Sequence, residues 1–128
     1  MNEEYILQES DFLVSQTDSM GIILFANEDF CKVAGYSLEE LIGQDHNIVR
    51  HPDMPKAAFR DLWETIQADK TWTGYVKNKT KNGDYYWVYS IVYPIRSGKS
   101  NEVTYISCRR KPSREEIVIA SDLYKTMY

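Results

Sequence analysis

Apolar residues change their spacing along this chain, and each spacing predicts an element. Phe12–Asp18 (FLVSQTD) and Gly21–Ala26 (GIILFA) are short apolar-rich runs around the turn-forming stretch DSMG, which reads as two strands and a tight turn. Asn27 stands where a helix N-cap belongs, ahead of a short helix over 28–34 that Gly35 stops. Ser37 and Glu40 have capping-box spacing, and Gly43 ends that second short piece. The clearest helix runs over 56–68. Ala58, Phe59, Leu62, Trp63 and Ile66 fall on one side of it, and Lys56, Arg60, Glu64 and Gln67 on the other. Asp53 is expected to cap this helix, with Pro55 in its first turn, where a missing N–H does no harm.

Beyond that helix the period falls to two. Residues 71–80 (TWTGYVKNKT) read as a strand, Lys81–Asp84 (KNGD) as a hairpin turn, and 85–95 (YYWVYSIVYPI) as a long strand. A loop over 96–102 leads to a last strand, 103–110 (VTYISCRR). A second capping box, Ser113 with Glu116, opens a terminal helix with Ile117, Ala120, Tyr124 and Met127 on one side. The expected fold class is α+β: a five-stranded antiparallel sheet with helices inserted between strands two and three, covering one face. Residues 1–10 form a polar N-terminal cap with Tyr5, Ile6 and Leu7 available for docking, 11–112 the domain proper, and 113–128 a C-terminal output or linker helix.

Parity sorts the strand residues. Trp72, Gly74, Val76 and Asn78 share one face of their strand. On the long strand Tyr86, Val88, Ser90 and Val92 share one face, and Trp87, Tyr89, Ile91 and Tyr93 the other. Both faces are apolar, so the face away from the inserted helices needs its own cover: the N-terminal cap, the terminal helix or another protein.

Composition narrows the function classes. The chain has 128 residues, one domain by size, with 43% hydrophobic and 27% charged residues. Aromatics at 13% exceed what such a core needs, so some can face a ligand or partner. A net charge of −4 with no basic stripe argues against nucleic acid. Two cysteines, Cys31 and Cys108, have no metal spacing and fit a reduced, cytoplasmic setting. No apolar run reaches the roughly 18 residues of a membrane span, and the acidic start is no signal peptide. If the domain serves a membrane receptor, it sits at the inner membrane through a partner or another segment.

The chemistry concentrates in Asp45–Pro55 (DHNIVRHPDMP). It holds both histidines, an arginine, two acids and two of the four prolines. The stretch is too rigid for a helix interior and too polar for a core strand. Neither a nucleophile nor a second positioned base accompanies it, so catalysis is not expected. Read alone, the residues reach only a small α+β domain with an unusual polar loop.

The strand order resembles the PAS fold over nearly the whole chain. Within it, NIVRHPDMPKAAFRDLW, W-TGYVKN and KNGDYYWV resemble the FAD-binding PAS domains of the bacterial aerotaxis receptor (Aer) family. The resemblance implies non-covalent FAD, a redox or energy sensor for aerotaxis, and signalling to a chemotaxis transducer or HAMP-type domain in cis or trans. A homodimer through the outer sheet face is a further partner. Under this resemblance Arg50 is the pyrophosphate donor, because its guanidinium can fork to phosphate oxygens. His51 adds a second donor or packs on the ligand. Asp53 is a helix cap, or an acceptor that fixes Arg50 or His51 or meets a ligand hydroxyl. His46 is either bonded to backbone or faces the ligand. Asn78 presents an amide that both donates and accepts, which suits the alternating edge of a flavin ring. Trp72 is core or an aromatic wall, and Asn27 is a cap before it is a ligand group. Light-sensing PAS domains of the LOV class carry a reactive cysteine at about the place of His46, so no flavin–cysteine adduct is expected. Two rivals remain: a haem sensor with His46 or His51 as axial ligand, and a ligand-free PAS interaction module.

Overall fold

Turn chemistry and capping build the elements much as their residues dictate. Asp18 Oδ1 accepts from the backbone N–H groups of Met20 (2.8 Å) and Ile22 (3.0 Å), closing the first hairpin turn. The computed structural model describes residues 2–98 and 102–127. The centre of the expected 96–102 loop, and residues 1 and 128 of the two terminal segments, lie outside them.

The strands are β1 (Leu13–Thr17), β2 (Ile23–Ala26), β3 (Trp72–Lys79), β4 (Tyr85–Arg96) and β5 (Val103–Arg110). They form one antiparallel sheet in the order β2-β1-β5-β4-β3. The last strand therefore inserts beside the first, with Ser15 opposite Ser107 and Leu13 opposite Arg109. Between β2 and β3 the chain forms α1 (Glu28–Ala34), α2 (Leu38–Leu41), a 3-10 helix (His46–Val49) and α3 (Lys56–Gln67). The terminal helix is α4 (Arg114–Tyr124).

Four expected caps form. Asn27 caps α1, Ser37 and Ser113 make full capping boxes, and Gly35 ends α1 at φ 83°. The expected Asp53 cap on α3 does not. Pro55 occupies the N-cap position, with no side-chain hydrogen bond. Asp53 stands two residues too early, and its carboxylate is taken by Lys77 Nζ at 2.8 Å. Met127, expected on the apolar side of α4, lies past the helix end.

Parity holds on the sheet. Tyr86, Val88, Ser90 and Val92 are buried inward, while Tyr89, Ile91 and Tyr93 are half-buried outward. The main core sits between the inner face and the inserted helices, around Phe30, Leu41, Ile66, Tyr86 and Val88. Trp72 lies along its own strand because Gly74 has no side chain: a Cβ there would stand 2.5 Å from the indole. Trp72 Nε1 donates to Asp61 Oδ2 at 2.8 Å, which ties β3 to α3.

Of the three covers considered for the outer face, α4 supplies one. Trp87 stacks on Tyr124 (6.3 Å, 17°) beside Ile117 and Ala120. Burying an aromatic pair this way contributes about 0.5–1.5 kcal/mol beyond its area. The N-terminal segment instead runs beside the start of β4, where Tyr5 N donates to Tyr85 O and Tyr85 N to Glu3 O. Leu7 is buried there and Ile6 is exposed.

Candidate functional site

An inner sheet face under helices ought to be apolar, and this one is not. Ser15, Thr17, Asn78, Ser90, Ser107 and Arg109 are all buried on it, contributed by four different strands. Above this polar row lies a cavity of about 390 Å³. Its walls are Phe59, Leu62, Trp63 and Ile66 of α3, with Val76 and Val92 of the sheet. Gly21, at φ 82°, sits at its edge and leaves room for Trp63, whose ring would be 3.2 Å from any Cβ there. A mostly apolar hollow of this size with a few convergent polar groups is the usual form of a small-molecule site.

Arg109 dominates its electrostatics. The residue is 4% exposed. Its Nη2 donates to Ser15 Oγ at 3.0 Å and to His46 Nε2 at 2.9 Å, and its guanidinium lies 5.0 Å from the Phe30 ring centroid. Among the described residues no carboxylate pairs with it. Burial draws its pKa down to about 10, which leaves it charged at neutral pH. A buried cation without an anion is costly unless something supplies the missing charge or dipole.

Sequence expectation and placement agree in part. His46, Arg50 and Asn78 line the cavity together. Burial, then the Arg109 cation, lowers the His46 pKa to about 3, so its ring is neutral. Arg50 lies at 3.5 Å over the Phe59 ring, its backbone bridged to Asn78. Asn78 is 4% exposed, with its side chain beside the Tyr86 phenol. Tyr86 stands opposite it in register, with a fully buried hydroxyl that has no well-formed hydrogen bond among the described residues. Burial pushes that phenol up to about 12.

The other four expected residues lie elsewhere. His51 packs edge-on to Tyr85 at 6.1 Å, and its Nδ1 accepts from Asp53 N at 3.0 Å. Burial and then Lys77 lower its pKa. Asp53 is held low by its bond from Lys77. Trp72 belongs to the core between β3 and α3. Asn27 is fully used as a cap: its Oδ1 accepts from Phe30 N (3.0 Å) and Val14 N (3.1 Å), and its Nδ2 donates to Phe12 O (2.8 Å).

Sequence reading missed Arg109 and the serines around it. The available signal was parity: Arg109 shares its face with Tyr105 and Ser107, both buried.

The residues fit a flat ring with a polar edge. Phe59, Trp63, Val76 and Val92 supply apolar walls. The buried Asn78 amide and the uncompensated Arg109 supply hydrogen bonds and charge at one side. Among the described residues no cluster of His, Cys, Asp and Glu could hold a metal ion, and no helix is long and apolar enough to cross a membrane.

Known proteins share this architecture. The aerotaxis receptor of Escherichia coli K12 is 48% identical over 122 residues, 94% of this chain and 24% of that protein. The nitrogen fixation regulatory protein of Klebsiella oxytoca is 25% identical over 105 residues, 82% of this chain and 21% of that protein. The chain thus spans about a quarter of these relatives. The dark structure of the blue-light photoreceptor Aureochrome1 LOV superposes with a TM-score of 0.74 at 21% identity, covering 92% of this chain and 86% of that one. The family described as the PAS fold matches residues 23–109, and with the sheet order and inserted helices seen here, this chain belongs to the PAS family.

Proposed function

We propose that this domain binds FAD non-covalently and acts as the redox sensor of an aerotaxis receptor, reporting the flavin state to a chemotaxis transducer. The observation that carries the reading is the cavity floor, where a buried Arg109 without a carboxylate among the described residues stands with the buried Asn78 amide. Similarity to the aerotaxis receptor supports it. Bound flavin supplies a ring that takes up and releases electrons. Asn78 and Arg109 hold its polar edge, and Phe59 and Trp63 cover its faces. A cavity of about 390 Å³ takes the ring and leaves a dinucleotide tail outside. Arg50, at the cavity wall, is the cation for its phosphates. His51 and Asp53, paired with Tyr85 and Lys77, act on the ligand only through the stiffness of that loop.

Catalysis is disfavoured by the geometry. His46 Nε2 does lie 3.1 Å from Ser15 Oγ, but Ser15 is fully buried beneath the cavity floor and cannot meet a substrate. A haem reading asks for a free imidazole nitrogen, and Nε2 of His46 is already bonded to Arg109. We assign 11–112 to sensing and 113–128 to output, with the transducer on the cytoplasmic side.

A visible spectrum of the freshly purified or FAD-reconstituted protein tests this. Flavin bands, with FAD released by heat or acid, are the expected result. A Soret band would install haem instead, and a colourless protein would leave a ligand-free interaction module.

A further inference from the structure

His46 is locked by its neighbours in a way the flavin reading does not require. A guanidinium has donors only, so its 2.9 Å contact with Nε2 is a hydrogen bond when that nitrogen is bare. The imidazole proton must then be on Nδ1. Protonating Nε2 would set N–H against N–H and cation against cation in a buried place. His46 can gain a proton only if Arg109 turns away.

The surroundings leave the decision to Arg109. From its own 3-10 helix and its cap, His46 is flanked by Asp45 and Arg50, and the Asp45 carboxylate is committed to Asn47 N at 2.9 Å. From β5 come Arg109 and, behind it, Cys108. From β4 comes the Tyr86 phenol, and from β3 the neutral Asn78. From β1 comes Ser15, and from α1 the Phe30 ring at 5.8 Å and 79°. No carboxylate among the described residues is hydrogen-bonded to the imidazole, so no fixed anion favours its cationic form.

We propose that reduction of the bound ring draws Arg109 from His46 to the newly anionic ring edge, and that His46 Nε2 then takes a proton from solvent. This rests on the flavin reading above. The balance is simple. Two electrons from an external donor and one proton convert the oxidised ring to its reduced monoanion. A second proton goes to His46, and Arg109 keeps its charge throughout. The buried site carries one net positive charge before and after, so no uncompensated charge is created where charge is expensive. Burial is the larger cause that holds the imidazole neutral and Arg109 the second. Release from Arg109 removes the second while the new negative charge of the ring edge opposes the first, and protonation follows.

The test uses FAD-loaded protein with 15N-labelled histidine, reduced electrochemically. Oxidised protein should show His46 neutral with its proton on Nδ1 down to acidic pH. Reduced protein should show an imidazolium at neutral pH. His51, outside the cavity, should respond little and serves as the control. As a second readout, the midpoint potential of the wild type should fall with pH about twice as steeply as that of His46→Gln at saturating FAD, since two protons rather than one accompany two electrons. Should the variant fail to fold, the resonance readout on the wild type still decides. A yellow protein whose His46 stays neutral on reduction overturns the switch alone. A protein that never turns yellow overturns the flavin reading, and the switch falls with it.

Discussion

The two faces of β4 are built to opposite rules. Inward, Tyr86 and Ser90 join Asn78, Arg109 and Ser15 in a polar floor where, among the described residues, the Tyr86 hydroxyl has no well-formed hydrogen bond and Arg109 no carboxylate. Outward, polar atoms are spent on holding α4. Tyr124 Oη donates to Tyr75 O at 2.6 Å, Tyr75 Oη donates to Glu116, and Trp87 stacks on Tyr124. That bond to Glu116 raises the Tyr75 pKa to about 12 and lowers the carboxylate to about 2. A fully satisfied surface is a structural contact. A buried surface left short of partners is poised for a ligand. Mutations on the two faces should therefore separate folding from binding.

The largest expected effect is outward. Trp87→Ala should cost about 3–5 kcal/mol of folding stability by urea denaturation, the range for a buried tryptophan. Flavin bound per folded molecule should not change. If it does, the two faces are not separable. Arg109→Met should do the reverse. Replacing a buried charge with an apolar side chain is neutral or stabilising by up to about 1–4 kcal/mol, so the apoprotein should melt no lower, while the flavin-to-protein absorbance ratio falls. A destabilised apoprotein that still retains flavin would deny Arg109 its place at the ligand. Arg50→Ala should weaken FAD about tenfold to a hundredfold, or about 1.4–2.8 kcal/mol, and riboflavin much less, because riboflavin has no phosphate. Equal losses for both would move the phosphate site elsewhere.

A pH series sharpens the inner face further. The folded pKa of His46 is lowered to about 3 from its ordinary 6.5. Below 6.5 the unfolded chain binds a proton that the native apoprotein refuses. Stability should therefore fall as pH drops from 6.5 towards 3, and His46→Gln should flatten that slope. An unchanged slope in the variant would place the lost protons on other groups. The smallest effect is expected at Asp53→Ala. This mostly exposed partner of Lys77 should cost no more than about 1 kcal/mol, with no loss of flavin.

Part of this protein was written into its local pattern. Period-two runs marked β3, β4 and β5, and their parity separated Val88 and Val92 from Tyr89 and Tyr93. Capping chemistry located α1, α2 and α4, because each cap needs only residues three or four apart. The motif run over 47–63 pointed to the right cavity wall through Arg50, and parity alone turned Asn78 inward. It misled at Asp53, where a lysine 24 positions away outcompeted the helix end.

What sequence could not determine was which distant strands lie side by side. The polar floor exists because β5 inserts between β1 and β4, setting Arg109 against Ser15, 94 positions away, and against His46, 63 positions away. Periodicity reports the face on which a side chain lies, since that depends on neighbouring φ and ψ. It does not report the partner across the sheet, since that depends on how the whole chain returns upon itself. Only that return of the chain buries Arg109 against His46.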